Sequence, residues 1–422
     1  MDELIRKTYA AILNEELMPA LGCTEPIAIA LAGARARTLL GMEPEHITVH
    51  CSGNIIKNAQ SVVVPTTGDL RGIGTAAVLG AVGGDPGRGL EVLSAVRPEH
   101  LERTRALLAA GICRVVLLES PSALHIRMEM EAGGHTALCE IRDTHTNVIR
   151  LERDDQILMD EQGTSGAAGE ADRSLLSLAH IWDYCRTADL SDVRAVLERQ
   201  IACNTAVSAE GLHRAYGAQV GRTLLEQWPE CVQTKACAAA AAGSDARMGG
   251  CVLPVVINSG SGNQGITVSL PVVTYARHWG SSHDELLRAL AFSNLTALLQ
   301  KREIGRLSAF CGVVSAGCGA AAGVAFLHGD SLEVIGQTIV NTLGTIGGMV
   351  CDGAKPSCAA KIASAVHTAL MGYEMARQGQ GFHDGEGIVR FPAERTVSNA
   401  GRMARQGMAQ TDQVILGMML EP

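Results

Sequence analysis

Two patterns of apolar positions divide the chain. From Asp172 onward, apolar residues recur every three or four positions in stretches such as 174–188, 191–206, 212–227, 284–304 and 332–343, the spacing that turns one side of an α-helix into a core. Between His46 and Leu158 the spacing changes: 47–51, 114–118, 124–131, 136–141 and 146–151 alternate or run in β-branched residues between Gly-Gly and Asp-Pro breakers, which predicts strands. Helical spacing returns between them at 72–83 and 98–110. The first forty residues predict two helices meeting at Met18-Pro19-Ala20-Leu21-Gly22-Cys23-Thr24-Glu25-Pro26, with Thr24 the expected N-cap of a helix over 27–40. Residues 159–171, rich in glycine and serine, read as a linker. The expectation is an α+β fold: a smaller α/β domain at 46–158, a predominantly helical domain of about ten helices at 172–422, and N-terminal helices (1–45) packing with the helical domain. No repeat of fixed period is visible.

Composition narrows the function classes. Of the 422 residues, 47% are apolar but only 3% aromatic, so the core is built from aliphatics and alanine, and disorder is excluded. The net charge is −9 and only six residues are lysine, which leaves no cationic face for nucleic acid or anionic lipid. The start, Met1-Asp2-Glu3-Leu4-Ile5-Arg6-Lys7, does not look like an export signal, and no apolar run is long enough to span a bilayer. The protein is expected in the cytoplasm, and its 13 cysteines are then thiols or metal ligands rather than a disulfide framework.

Two cysteine pairs stand out, Cys311/Cys318 and Cys351/Cys358, each spaced C-x6-C. Structural zinc sites use tighter knuckles, whereas iron–sulfur clusters accept thiolates from looser, glycine-containing loops. The second pair suits a cluster better, because Asp352-Gly353-Ala354-Lys355-Pro356-Ser357 puts two breakers and two charges between the thiols. Cys23, just before a helix start, would gain thiolate character from the N–H groups and dipole there. Three glycine- or amide-rich segments, 51–58, 243–250 and 258–265, could hold a carboxylate or phosphate through backbone N–H groups, although none fits the P-loop or dinucleotide fingerprint. The hydrolase elbow is incomplete around Ser261. His125, His135 and His145 lack metal-ligand spacing and read as surface or strand-packing residues. A Schiff-base lysine could only be Lys57 or Lys355, with nothing else in support.

Taken together, Gly22-Cys23-Thr24-Glu25-Pro26, Ser52-Gly53-Asn54-Ile55-Ile56-Lys57-Asn58, Asp245-Ala246-Arg247-Met248-Gly249-Gly250, Gly260-Ser261-Gly262-Asn263-Gln264-Gly265 and Cys351-Asp352-Gly353-Ala354-Lys355 resemble the L-cysteine desulfidase family, relatives of the iron-dependent L-serine dehydratase α subunit. The resemblance implies a lyase with a [4Fe-4S] cluster on Cys311, Cys351 and Cys358, and Cys23 as proton acceptor. Cys318 is left out, since related dehydratases carry a non-ligating cysteine at nearly this distance. It further implies that Asn54, Lys57, Asn58, Ser261, Asn263 and Gln264 hold the carboxylate and amino groups of a small amino acid. The dehydratases end in a cysteine thought to cap the cluster; this chain ends Leu420-Glu421-Pro422, so a cap is expected from elsewhere or not at all. Two other readings stand beside β-elimination from L-cysteine: an L-serine or L-threonine dehydratase with the same cluster, and a non-catalytic redox sensor. The expected partner is a small amino-acid substrate, with neither nucleic acid nor membrane; a homo-oligomer is allowed.

Overall fold

The computed structural model describes residues 2–161 and 171–421. Its strands are β1 (Pro19–Leu21), β2 (His46–Cys51), β3 (Cys113–Leu117), β4 (His125–Ala132), β5 (His135–Arg142), β6 (Val148–Arg153), β7 (Gln156–Asp160) and β8 (Pro254–Val256). The helices are α1 (Glu3–Glu16), α2 (Thr24–Leu40), α3 (Gly53–Ala59), α4 (Gly72–Gly83), α5 (Pro98–Ala109), α6 (Leu178–Thr187), α7 (Ser191–His213), α8 (Val220–Gln227), α9 (Val232–Met248), α10 (Gly262–Trp279), α11 (His283–Ile304), α12 (Gly312–His328), α13 (Leu332–Ile346), α14 (Cys358–Arg377), α15 (Ala393–Arg402) and α16 (Ala409–Leu420). The architecture is α+β and helix-rich.

Six strands form one mixed sheet in the order β3-β2-β4-β5-β6-β7. Only β2 and β3 run parallel, joined through α3, α4 and α5; the other neighbours are antiparallel. One face of β4 buries Ile126, Met128 and Met130, the alternation expected of a sheet covered on one side. The cover is α2. Its run Ile27-Ala28-Ile29-Ala30-Leu31-Ala32 is buried on every side, and a helix apolar all round needs partners all round; β4, β5 and α4 supply them. Residues 1–45 were expected to pack with the helices. Of these, α1 lies against α6, α7 and α11, whereas α2 lies on the sheet.

Five expected strands fall within two residues of those observed, and β7 lies partly where a linker was expected; the remainder of that linker, 162–170, is outside the described residues. The expected helix over 212–227 is two pieces, the end of α7 and α8, divided at Tyr216-Gly217. Among the described residues no helix is long and apolar enough to cross a membrane.

In the helical part α9 is central, packed against α7, α8, α10 and α14. Its Asp245 is only 1% exposed and accepts the Gly221 N–H at the start of α8 at 3.0 Å, while its other carboxylate oxygen has no partner. Burial pushes this carboxyl up to about 6. A carboxyl raised on folding contributes stability that is present at low pH and lost as pH rises through the folded value. Asp245→Asn keeps an acceptor for Gly221 without the buried charge, and is expected to stabilise the protein by about 2 kcal/mol at pH 7. Urea unfolding at neutral pH and near pH 4 checks this: the gain should vanish in acid, and an equal gain at both pH values would refute the cause.

Candidate active site

Four helices begin around one cavity of about 90 Å³. Cys23 is the N-cap of α2, Ser261 of α10 and Cys311 of α12, and Cys358 opens α14. All four side chains line the cavity, with Glu25, Asn263 and Gln264 from the first turns. Unpaired N–H groups and the positive ends of four helix dipoles therefore converge where thiolates and carboxylates would sit.

The local sequence brings these ends together. Pro19–Leu21 pairs antiparallel with Pro254–Val256, a short ribbon that sets the segment entering α2 beside the segment entering α10. Gly22 turns the chain between β1 and α2 with φ of +63°, and a Cβ there would stand 2.2 Å from the Pro65 ring. Behind the ribbon, buried Asn204 of α7 accepts the Val256 N–H at 2.9 Å and donates to the Gly265 carbonyl at 3.1 Å. Asn258 donates to Asn294 Oδ1 at 2.9 Å, and Asn294 exchanges hydrogen bonds with Gln200. Such hydrogen-bonded buried amides hold the turn in place.

The thiols come from two loops pinned to each other. Phe310 and Val350 form an antiparallel bridge, with Cys311 N–H to the Met349 carbonyl at 2.9 Å and Cys351 N–H to the Ala309 carbonyl at 2.7 Å. Cys351 is held below the usual thiol range, first by its hydrogen bond with the Cys311 thiol and then by Lys57, the Gly353 N–H and Lys361; Cys311 is correspondingly raised. Cys358 accepts the Lys355 N–H at 3.4 Å, and burial raises it. Among the described residues no three His, Cys, Asp or Glu side chains are placed to hold a single ion. A cluster asks for something different, one thiolate on each of several irons, and three thiols around one cavity, with lysines nearby, are a fitting donor set. Cys318 lies inside α12 with its sulfur among Gln300 and Thr342, away from this cavity.

Cys23 is not the resting thiolate that its position before a helix suggests. The residue is 2% exposed and donates to Glu25 Oε2 at 3.3 Å; burial first, then the Glu25 charge, push the thiol far up. Thr24 is not the N-cap but the first helical residue, and its hydroxyl donates to the same oxygen at 3.0 Å. Asn58 Nδ2 donates to Glu25 Oε1 at 3.0 Å. Despite burial, Glu25 is held below the usual carboxylate range by His145, the Cys23 thiol and Arg247.

Of the substrate-side candidates, Asn58, Ser261, Asn263 and Gln264 reach the cavity. Asn54 and Lys57 do not: they line a neighbouring cavity of about 700 Å³ beside α16, where buried Lys57 pairs with Asp412. The segments 51–58 and 243–250 are also largely helical, in α3 and α9, rather than open loops. Sequence reasoning missed Glu25, His145, Arg247, Lys301 and Arg306, all of which line the cavity. His145 sits in the β5–β6 turn, buried, with desolvation lowering its pKa and Nε2 unpartnered. Glu25 and Arg247 lay inside quoted motifs, so attention to their charge in otherwise apolar surroundings was the available signal; nothing in spacing marks His145 or Lys301.

Residues 87–417 match the family described as serine dehydratase alpha chain. Among curated relatives, the UPF0597 protein of Lachnoclostridium phytofermentans is 51% identical over 98% of this chain and 99% of its own length. That of Treponema denticola is 44% identical over 100% of this chain and 99% of its own. A match spanning the cysteine loops, α9, α10 and most of the sheet places the chain: it belongs to the serine dehydratase alpha chain family.

Proposed function

We propose that the protein is a lyase that eliminates the β-substituent of a small L-amino acid, with L-cysteine as substrate and sulfide, ammonia and pyruvate as products. One juxtaposition carries the reading: the thiols of Cys311, Cys351 and Cys358 open into the same cavity as Cys23, Glu25 and the amides of Asn58, Asn263 and Gln264. Cys311, Cys351 and Cys358 would hold a [4Fe-4S] cluster, which would supply Lewis-acid assistance to the departing group.

The chain's own residues do the rest. Asn58, Ser261, Asn263 and Gln264 hold the amino acid. Cys23 takes the Cα proton once its own proton has passed along the 3.3 Å hydrogen bond to Glu25 Oε2, a transfer that runs against the resting bias set by burial and the Glu25 charge. The electrons of the Cα–H bond become the Cα=Cβ bond, while the Cβ–S bond breaks and its pair leaves on sulfur. The aminoacrylate so formed tautomerises to an imine, which water hydrolyses to pyruvate and ammonia. All 13 cysteines are free thiols, which suits the reducing cytoplasm we propose as its setting.

The family description favours a second reading, L-serine dehydration at the same site, in which hydroxide, a poorer leaving group, needs more help from the metal. The third, a non-catalytic sensor, leaves the buried Cys23–Glu25 pair without a task. Anaerobic reconstitution with iron and sulfide, followed by assay of sulfide and pyruvate from L-cysteine beside pyruvate from L-serine, separates them. Sulfide and pyruvate in equal amounts from L-cysteine support the desulfidase. Pyruvate from L-serine alone moves the assignment to the dehydratase, and a cluster without turnover leaves the sensor.

A further inference from the structure

Two buried cations face the cavity without a direct salt bridge among the described residues, Arg247 acting on Glu25 only through its field. Arg247, near the end of α9 and 4% exposed, commits one N–H, Nε to the Gly22 carbonyl at 2.9 Å, and forms no salt bridge among the described residues. Lys301, in the last turn of α11, gives one hydrogen bond, to the Arg306 carbonyl at 3.1 Å, and lies on the thiol side, within the field of Cys351 and Cys311. The buried carboxylate of the cavity, Glu25, is already engaged by Cys23, Thr24 and Asn58.

Acceptors are left over as well. Asn58 Oδ1, Asn263 Oδ1 and Gln264 Oε1 are buried with no partner, and the hydrogen bond from Asn58 Nδ2 to Glu25 fixes which way that amide points. Buried polar groups are nearly always paired, so a cavity presenting one spare guanidinium edge and three spare carbonyl oxygens is shaped for a ligand carrying both an anion and a multiple N–H donor.

We infer that Arg247 anchors the substrate's α-carboxylate, while the side-chain oxygens of Asn58, Asn263 and Gln264 receive its α-ammonium. The inference deepens the proposed function and rests on that reading for the identity of the substrate. Arg247 is preferred over Lys301 on geometry. With Nε committed, its two terminal nitrogens form the fork that takes a carboxylate bidentately. Gly262 makes the room: a Cβ there would stand 2.4 Å from Arg247 Nε and 2.8 Å from Cζ. Because the same guanidinium grips the carbonyl of Gly22, the residue before Cys23, it fixes the carboxylate and the Cys23 backbone in one frame, which sets Cα against the Cys23 sulfur. The ligand class is therefore a free α-amino acid; esters, amides and decarboxylated amines are excluded.

The test uses the anaerobically reconstituted enzyme and two inert probes, L-alanine and L-alaninamide, titrated calorimetrically into wild type, Arg247→Met and Arg247→Lys, alongside pyruvate formation from L-cysteine. Wild type should bind L-alanine about 100-fold tighter than the amide. Arg247→Met should lose that preference by weakening L-alanine alone. Arg247→Lys, which keeps the charge without the fork and serves should the methionine variant not fold, should weaken L-alanine about 10-fold and leave the amide unchanged. If the two probes weaken together, if neither changes, or if wild type does not prefer the acid, Arg247 is not the anchor. Should the preference depend on residue 247 while neither L-cysteine nor L-serine gives pyruvate, the anchor stands and the proposed reaction falls. Should pyruvate form with a preference indifferent to residue 247, the reaction stands and the anchor falls.

Discussion

Replacing Cys351 or Cys358 with alanine is expected to strip iron from the reconstituted protein while leaving it folded. Each thiolate in the proposed donor set serves its own iron, so losing one removes a protein bond that nothing else in the cavity replaces; even changes one step further from a metal cost about 10–100-fold in affinity. The fold should survive because Cys351 lies in the loop before α14 and Cys358 is that helix's first residue, where their backbone groups do the holding. The Cys351 N–H reaches the Ala309 carbonyl and the Cys358 N–H the Lys355 carbonyl, and alanine keeps both bonds. Cys318→Ala is the control. That thiol is fully buried inside α12, so its loss should cost about 1–2 kcal/mol of stability as a small cavity and no iron. Iron and acid-labile sulfide per chain, measured with far-ultraviolet circular dichroism on the same samples, read both quantities. Full iron retention in the Cys351 and Cys358 variants would remove the ligand assignment, and iron loss on changing Cys318 would redirect it.

How far the site was legible follows from which signals a linear pattern can carry. Strands β2 to β6 and helices such as α2, α7, α11 and α13 were visible because period-two and period-3.6 burial is written directly into residue order, whereas α9, α10, α12 and α14, buried among small residues, were not delimited. The ribbon of β1 and β8 was not, since three-residue strands such as Pro19–Leu21 have no period to read, yet this ribbon is what brings Cys23 to Gln264. Cys311, Cys351 and Cys358 stood out because breakers between thiols are conspicuous. Asn54 and Lys57 were grouped with Asn58 because the resemblance and a loop reading put all three on the substrate, but α3 is a helix: consecutive residues point about 100° apart, so Asn58 meets Glu25 while Lys57 meets Asp412. Arg247 and Lys301 fall in the last turns of α9 and α11, where a basic residue ordinarily only satisfies the helix dipole. Their service to a cavity emerges only when those ends are packed against the starts of α2 and α12.

Changing Cys23 to alanine should lower turnover by about 10³-fold, within the usual range for a general base, with iron content unchanged. The companion variant Glu25→Gln decides how Cys23 works. A helix N-terminus offers a thiolate about 1 kcal/mol, less than one pKa unit, whereas full burial opposes ionisation by up to 3–5 units; desolvation wins, and the Glu25 charge adds to it. Were Glu25 only an unfavourable neighbour, Glu25→Gln would relieve the thiol, enrich the thiolate and raise turnover at neutral pH. If Glu25 instead receives the Cys23 proton through their 3.3 Å contact, an amide that cannot take a proton should cost at least about 10²-fold. The two mechanisms thus predict opposite signs for one substitution. Pyruvate formation by Glu25→Gln, with cluster absorbance confirming that the site is loaded, gives the answer: a fall establishes the carboxylate as the relay partner, and a rise leaves Cys23 to reach its thiolate without Glu25.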